Sequence, residues 1–371
     1  PDDLSIDLEH VRQVLADELG VEPDVETIAV LKAIRTGEFD KVSAPYRHPV
    51  TLSPPHPLMP TLPIPPTPLI GRERELAELG ELIDNPQCRL ITITGVGGMG
   101  KTRLALAAAQ SAKFQHAAVF VPLAGVSSTQ FLPQAILSAV NLPLQETLSL
   151  QQQVRLTLYN RECLLVLDNY EHLLPDVELL LDILYYAPQV TLLVTSRERL
   201  ALQAEHLCEL TGLTYPTSQA TTKPTISAPT LQSYSAIELL LQRVRQIQPR
   251  FAASEAEMAA AVRICRVSEG MPLALELAAA MVREQSLVAL ATALEEGQAR
   301  LSSRLRDLPE RHRTMEAVFA HSWRLLSEDE QQVLAALSVF RGGFAVDFVQ
   351  AVANATPAIL VALTDKSWLR R

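Results

Sequence analysis

The chain has 371 residues, 48% of them hydrophobic and 5% aromatic, which is enough for roughly two to three domains with aliphatic cores. Its formal net charge of -10 at pH 7 argues against a protein that coats nucleic acid nonspecifically. The cysteines are dispersed, no apolar run approaches the ~18 residues of a membrane span, and no signal peptide opens the chain. The sequence therefore predicts a cytoplasmic protein with reduced, packed thiols and no membrane contact.

Residues 1–40 predict a pair of helices. The first, LSIDLEHVRQVLADEL, has apolar residues at helical spacing and stops at Gly20; the second begins near Asp24 and ends at Gly37. One helical hairpin cannot bury a core alone, and the chain opens inside it, so we expect a fragment cut at both ends. Residues 41–68 are rich in proline and lack glycine, which predicts an extended, semi-rigid linker.

Residues 69–230 alternate apolar strand patterns with helical ones. The strand candidates are RLITIT, AAVFVPL, CLLVLD, TLLVTS and HLCELTGL. Continuous apolar strands separated by helices indicate a parallel sheet covered on both faces, which is an α/β fold. Residues 231–305 and 306–371 are almost wholly helical in pattern, so we expect further helical domains after the sheet.

The stretch GVGGMGKT fits the P-loop pattern G-x-x-x-x-G-K-[ST], and it lies between a predicted strand and a predicted helix, as the pattern requires. Its glycines allow the backbone N–H groups to face inward around an anion, and the following helix adds its positive end. Lys101 would reach the β- and γ-phosphates, and the Thr102 hydroxyl would bind Mg²⁺. The motif predicts nucleotide contacts at Gly95, Val96, Gly97, Gly98, Met99, Gly100, Lys101, Thr102 and Arg103.

Asp168 ends the strand CLLVLD and is the natural carboxylate partner for the same Mg²⁺. The next residue is Asn169, where many ATP-hydrolysing proteins have a glutamate that orients the attacking water. An amide can hydrogen-bond a water but cannot take its proton. Glu171 either substitutes as the catalytic base or is a solvated charge at the start of a helix, and the sequence leaves both interpretations open.

Arg197 follows the strand TLLVTS. Because the C-terminal ends of parallel strands gather at one ligand crevice, Arg197 is a candidate γ-phosphate contact; the alternative is an exposed surface arginine. Pro272, in EGMPLALELAAAM, lies near the first turn of a predicted helix, where its missing N–H costs nothing.

Five segments together resemble the signal-transducing ATPases with numerous domains, the STAND class, which includes the NB-ARC and AAA+-like switches. The segments are LIGRERELAEL, GVGGMGKTRLA, LLVLDNYEH, LLVTSRERL and EGMPLALELAA. The chain is most similar to bacterial transcriptional regulators in which this module follows a bacterial transcriptional activator domain. Residues 1–40 resemble the last, TPR-like repeat of that domain.

The resemblance implies an adenine nucleotide, ATP or ADP, bound with Mg²⁺. It implies that Ile70 and Arg72 run past the adenine and ribose, that Pro272 packs against the base, and that Arg197 senses the γ-phosphate. It also implies a P-loop domain at 69–230, a small helical domain at 231–305 and a winged-helix domain, truncated, at 306–371.

The resemblance suggests a nucleotide-dependent switch, a slow ATPase whose bound nucleotide controls domain closure and formation of a homo-oligomer. A multiple-turnover ATPase remodeller is the first alternative. It requires an efficient base to activate the attacking water, and the only candidate is Glu171. DNA binding through the winged helix is the second. Residues 309–371 carry as many Lys and Arg as Asp and Glu, without the clustered positive charge that phosphate tracking needs. The resemblance suggests instead that DNA contact comes from upstream domains absent from this sequence.

Overall fold

The computed structural model describes residues 62–112, 118–141, 148–159, 161–216, 233–302, 313–340 and 344–369. The predicted hairpin at 1–40 and the linker up to residue 61 lie outside the described residues. The strands are β1 (Leu90–Thr94), β2 (Ala118–Pro122), β3 (Cys163–Asp168), β4 (Val190–Thr195) and β5 (Glu205–Glu209). The helices that accompany the sheet are α1 (Glu73–Asp84), α2 (Lys101–Ser111), α3 (Leu132–Ala139), α4 (Leu150–Leu158) and α5 (Glu178–Tyr186). Those after it are α6 (Ser235–Ile247), α7 (Glu255–Val267), α8 (Pro272–Met281), α9 (Leu287–Glu295), α10 (Met315–Trp323), α11 (Glu328–Leu337), α12 (Val346–Ala353) and α13 (Pro357–Asp365).

The five strands form one parallel sheet in the order β2-β3-β4-β1-β5. Strand β3 shows why its sequence is apolar throughout: Leu165 and Leu167 pack into the core formed with α3, α4 and α5. The alternate residues Leu164 and Val166 point to the other face and pack with α1 and α2. Both faces are covered by helices, which confirms the predicted α/β fold.

The sequence analysis missed α4. Its sequence, LQQQVRLTL, is largely polar, yet Val154 and Leu158 are fully buried against the sheet. The helix begins with a capping box, in which the Ser149 hydroxyl accepts a hydrogen bond from the Gln152 N–H while the Gln152 side chain accepts one from the Ser149 N–H. The cap and two apolar contacts stabilise a short helix whose apolar periodicity is too weak to stand out.

Most of the described residues from 233 onward lie in helices. Helices α6 to α9 enclose a core of their own, and α11 to α13 enclose another. The segment that leaves β5 joins the sheet to the first of these cores, because Leu213 N–H donates to Gly270 O at 2.8 Å and Ala236 N–H donates to Thr214 O at 3.0 Å. The described part of 306–371 contains four helices, and its assignment as a winged helix stays a prediction.

The cysteines Cys88, Cys163, Cys208 and Cys265 are free and buried, which confirms the prediction of packed thiols. Burial raises the pKa of the Cys163 and Cys265 thiols to about 12, so these side chains are inert apolar packing groups. None of the described helices combines the length and apolar character that a membrane crossing requires.

Candidate functional site

The predicted P-loop connects β1 to α2 and lies at the C-terminal edge of the sheet. Gly95, Gly98 and Gly100 have φ angles of 147°, 86° and 90°, in the region that favours glycine. A Cβ at Gly95 would lie only 2.6 Å from Leu210 O, on the segment after β5. The loop therefore needs glycine both for its backbone conformation and for its close contact with a neighbouring segment.

Helix α2 begins at Lys101, directly after the left-handed Gly100, and no side chain caps its first turn. Its N–H groups and its positive end therefore face the space in front of the loop. That space is a cavity of about 270 Å³. Most of the predicted site residues line it: Ile70, Arg72, Gly97, Gly98, Met99, Gly100, Lys101, Thr102, Arg103, Glu171, Arg197 and Pro272. Gly95, Val96 and Asp168 are the predicted residues outside that lining.

Lys101 folds back onto the loop that precedes it. Its Nζ donates to Gly95 O at 2.7 Å and to Val96 O at 3.2 Å. Burial lowers the pKa of Lys101 to about 8, while the negative charge of Glu171 opposes that shift. An anion in the cavity would favour the protonated form, so the side chain is suited to phosphate recognition.

Asp168 lies beneath the first turn of α2, where its Oδ1 accepts hydrogen bonds from the hydroxyls of Thr102 and Thr195, each at 2.7 Å. The parallel register explains this contact, because Asp168 of β3 lies directly opposite Thr195 of β4. Burial raises the pKa of the Asp168 carboxyl, and the two hydroxyls oppose the rise. A carboxylate beside a threonine hydroxyl is an oxygen donor set that suits Mg²⁺, which commonly takes only one or two protein ligands.

Glu171 and Arg197 form a buried ion pair at the same edge, with Arg197 Nε donating to Glu171 Oε1 at 2.9 Å. Both residues are buried, so the interpretations of Glu171 as a solvated charge and of Arg197 as an exposed arginine are wrong. Each belongs to a turn that follows a strand, where sequence alone gives no measure of exposure. Glu171 Oε2 is buried and has no hydrogen-bond partner among the described residues.

Arg197 also reaches out of the sheet domain. Its Nη1 donates to the hydroxyl of Ser322, which lies near the end of α10. On the backbone of the same residue, Arg197 O accepts a hydrogen bond from the Ser367 hydroxyl at 2.8 Å. One residue at the edge of the sheet thus contacts two of the C-terminal helical segments.

Arg72 is buried and binds backbone carbonyls on two sides of the cavity. Its Nη2 donates to Met99 O at 3.2 Å and to Thr211 O at 2.7 Å, and its Nη1 pairs with Glu75 at 2.7 Å. These bonds hold the P-loop against the segment after β5. Arg72 therefore stabilises the cavity wall, whereas the resemblance implied only a position beside the base and the ribose.

Two helices from the C-terminal half pack on the P-loop. The N–H of Leu273, in the first turn of α8, donates to Gly98 O at 3.2 Å. A Cβ at Gly97 would lie 3.0 Å from Val318 of α10, and Val318 packs with Leu273 and Leu277 in a small apolar cluster. Pro272 begins α8 as predicted and lines the cavity wall, so the P-loop is enclosed by the helical segments.

Four side chains that the sequence analysis did not select belong to the site: Thr195, Arg243, Glu276 and Ser322. Thr195 could have been found, because it ends the strand next to Asp168. The other three come from helices far along the chain. Tertiary packing brings Arg243 and Glu276 to the cavity and Ser322 to Arg197.

The amino-acid sequences of known proteins show the family of this chain. It is 34% identical over 289 residues to an uncharacterised protein of Mycobacterium tuberculosis, Rv0894, and the match covers 77% of the chain and 69% of that protein. The chain belongs to the same family as Rv0894. It is also 35% identical over 268 residues to Rv0890c of the same organism, a protein provisionally named as an HTH-type transcriptional regulator. That match covers 72% of the chain but only 28% of the regulator, so the chain spans little more than a quarter of its length.

No family model matches the chain. Among solved structures, a STAND protein with a tetratricopeptide repeat sensor from Pyrococcus horikoshii aligns at 16% identity and a TM-score of 0.39, over 85% of the chain and 42% of that protein. The ORC2 protein of Aeropyrum pernix aligns at 14% identity and a TM-score of 0.43, over 82% of the chain and 88% of that protein. Both scores are low, and the α/β assignment rests on the strand order and the loop described above.

Proposed function

We propose that this protein is a STAND-class switch that binds ATP or ADP and hydrolyses ATP slowly. The proposal rests on two properties of Arg197. This residue lines the P-loop cavity, and its guanidinium also donates a hydrogen bond to the Ser322 hydroxyl of α10. We expect contact with a terminal phosphate to draw the guanidinium toward the P-loop, which would lengthen or break its bond to Ser322. The nucleotide would therefore bias the contact between the sheet domain and the C-terminal helices.

The residues at the cavity fit such a nucleotide. The glycine-rich loop and the uncapped first turn of α2 would hold the phosphates together with Lys101, and Thr102 and Asp168 would hold Mg²⁺. The metal would neutralise phosphate charge and polarise the terminal phosphoryl group. Pro272 and Ile70 provide apolar wall for the base, while Arg72 keeps that wall in place.

The state of Glu171 favours a switch over a multiple-turnover remodeller. Its Oε1 already accepts a charge-assisted hydrogen bond from Arg197, and taking a proton from water would weaken that ion pair. Asn169, on a left-handed backbone between Asp168 and Glu171, can position a water but cannot accept its proton. Slow hydrolysis is the expected consequence, and it suits a protein that holds one state for a long time.

We infer a closed resting form in which α8 and α10 cover the loop, and an open form able to self-associate into a homo-oligomer. The match covers only 28% of a relative named as a transcriptional regulator, which supports a module that works within a longer protein. DNA contact would then come from its other domains, and the switch would work in the cytoplasm. The packing of Leu273 and Val318 on the loop glycines supports the closed form.

The first test is to denature freshly purified protein and identify the released nucleotide by chromatography, with Lys101→Ala purified in parallel. Near-stoichiometric adenine nucleotide from the wild type and almost none from the variant is the expected result, because Lys101 is the cation nearest the loop. Titration with labelled ADP should then show binding only by the wild type. Equal nucleotide retention or equal affinity in the variant would remove the P-loop assignment.

A further inference from the structure

Arg243 lies on α6 and lines the same cavity as the P-loop. The residue is only 8% exposed. Its Nε donates to Glu276 Oε1 at 3.0 Å, but its Nη2 is buried with no hydrogen-bond partner among the described residues. A buried guanidinium N–H without a partner is costly, so a ligand atom is the natural acceptor for it.

Glu276 completes a charged group with Arg243. It lies on α8 one helical turn after Pro272, and its Oε1 is also 3.7 Å from Nη1 of Arg103. Arg103 directly follows Thr102, so the carboxylate is held next to the first turn of the phosphate-binding helix. At 27% exposure, Glu276 retains the capacity to accept further hydrogen bonds.

The wall around this pair is apolar. Leu239, one turn before Arg243 on α6, lines the cavity together with Ile70, Leu213 and Pro272. In a nucleotide the sugar joins the phosphates to a flat, mostly apolar base. A charged pair tethered beside the phosphate-binding helix, with apolar surface around it, therefore matches the position of the sugar.

We propose that Arg243 and Glu276 form hydrogen bonds with the ribose hydroxyls of the bound nucleotide. These bonds would make the site selective for ribonucleotides over deoxyribonucleotides. A sugar hydroxyl is at once a donor and an acceptor, so it satisfies Glu276 with its proton and Arg243 Nη2 with its oxygen. The inference rests on the proposed nucleotide function and extends it, since it names a specificity that the P-loop cannot supply.

The test is to titrate the protein with ADP, 2′-deoxy-ADP and 3′-deoxy-ADP by calorimetry, in the wild type and in Arg243→Met and Glu276→Gln. In the wild type at least one deoxynucleotide should bind roughly tenfold more weakly than ADP, because it leaves a charged buried group without its partner. Both variants should bring that ratio close to one. Since the ratio is taken within one preparation, a partly unfolded variant lowers both affinities alike and leaves the ratio interpretable.

The matched controls are Arg263→Met and Glu295→Gln. Arg263 and Glu295 form another arginine–glutamate ion pair between helices, at 2.5 Å, but neither residue lines the cavity. These variants should keep the full preference for ADP. Wild-type protein that binds all three nucleotides equally, or site variants that keep the preference, would overturn the ribose assignment while leaving the switch intact. Failure of the wild type to bind any of the nucleotides would instead refute the proposed function itself.

Discussion

At the scale of single residues, two carboxylates at the C-terminal end of β3, those of Asp168 and Glu171, have different surroundings. Asp168 and Glu171 are three positions apart, yet Asp168 accepts two threonine hydroxyls whereas Glu171 is paired with Arg197. Asp168 is arranged as an oxygen ligand, and Glu171 is arranged to hold a guanidinium. The two carboxylates are therefore not interchangeable, and only Asp168 has the surroundings of a metal ligand.

The lowered pKa of Lys101 predicts a pH dependence of nucleotide binding. In the free protein Lys101 loses its proton above a pH of about 8, whereas bound phosphates favour the charged form and raise its pKa. The complex then holds more protons than the free protein above that pH, so affinity for ADP should fall as pH rises, by up to about tenfold per unit. The phosphates are mostly ionised at pH 7 and fully ionised at the pH where Lys101 titrates, so their own titration contributes little there.

Calorimetric titration between about pH 7 and pH 9.5 would measure this effect, with the proton uptake on binding checked in two buffers of different ionisation enthalpy. Lys101→Arg provides the comparison, because arginine stays charged over the whole range. A constant affinity in the wild type would contradict the lowered pKa of Lys101 in the free protein.

At the scale of elements, the P-loop is determined by glycine and by what packs on it. Its backbone turns at three positions with positive φ angles. The segment after β5, helix α8 and helix α10 all approach it closely. The loop conformation therefore depends on contacts made far along the chain. Gly80, inside helix α1, differs from these loop glycines because a Cβ added to it would meet no other atom within 4 Å.

We predict opposite effects from two glycine-to-alanine substitutions. Gly95→Ala should lower the free energy of unfolding by about 1–3 kcal/mol, because the new methyl group meets Leu210 O on an unfavourable backbone conformation. Gly80→Ala should raise that free energy by about 0.5–1 kcal/mol, because alanine loses less entropy in a helix. Urea unfolding followed by circular dichroism would measure both. A stable Gly95→Ala protein would mean that the loop relaxes away from the segment after β5.

At the scale of the whole molecule, the sheet domain and the C-terminal helices share a group of polar contacts, in addition to the packing of Val318 and Leu273 on the P-loop. Arg197 binds Ser322, its carbonyl accepts the Ser367 hydroxyl, and Arg199 pairs with Asp365 at 3.2 Å. All of these depend on the turn after β4. Movement of that one turn would alter every contact in the group together, which is the behaviour expected of a two-state element.

Ser322→Ala should loosen α10 and weaken the coupling between nucleotide and domain packing. Loss of the hydroxyl leaves Nη1 of Arg197 without this acceptor, so hydrogen exchange of residues 315–323 should become about tenfold faster, as expected for a lost charge-assisted bond. The measurement is hydrogen exchange with mass spectrometry, with ADP and with a non-hydrolysable ATP analogue. Arg197→Ala should in addition remove the preference between those nucleotides while keeping much of the binding.

Ser338→Ala is the matched control for this experiment. The Ser338 hydroxyl is exposed and, among the described residues, donates to Ala335 O in the last turn of α11, the helix that Ser338 ends. That variant should exchange like the wild type over residues 315–323. If Ser322→Ala also left α10 unchanged in both nucleotide states, the proposed route from the nucleotide to the C-terminal helices would be wrong.

The sequence by itself determined the sheet and the loop. Four apolar runs, those of β1 to β4, predict a buried parallel sheet, since strands covered on both faces have no polar side. Strand β5, EHLCE, lies at the edge of the sheet, and Cys208 is its one buried residue. GVGGMGKT between a strand and a helix predicts where phosphates bind, because each of its residue types has a local backbone or charge requirement. Asp168 and Arg197 followed from the rule that parallel strands end at one edge.

Only the tertiary structure decided what surrounds those residues. The burial of Glu171, the bracing role of Arg72 and the contact between Arg197 and Ser322 depend on packing between segments up to 139 residues apart. Arg243 and Glu276 have no local signature, because an arginine or glutamate in an amphipathic helix is usually a solvated charge. Their meeting at the cavity depends on how α6 and α8 pack, which is a long-range property that sequence periodicity does not encode.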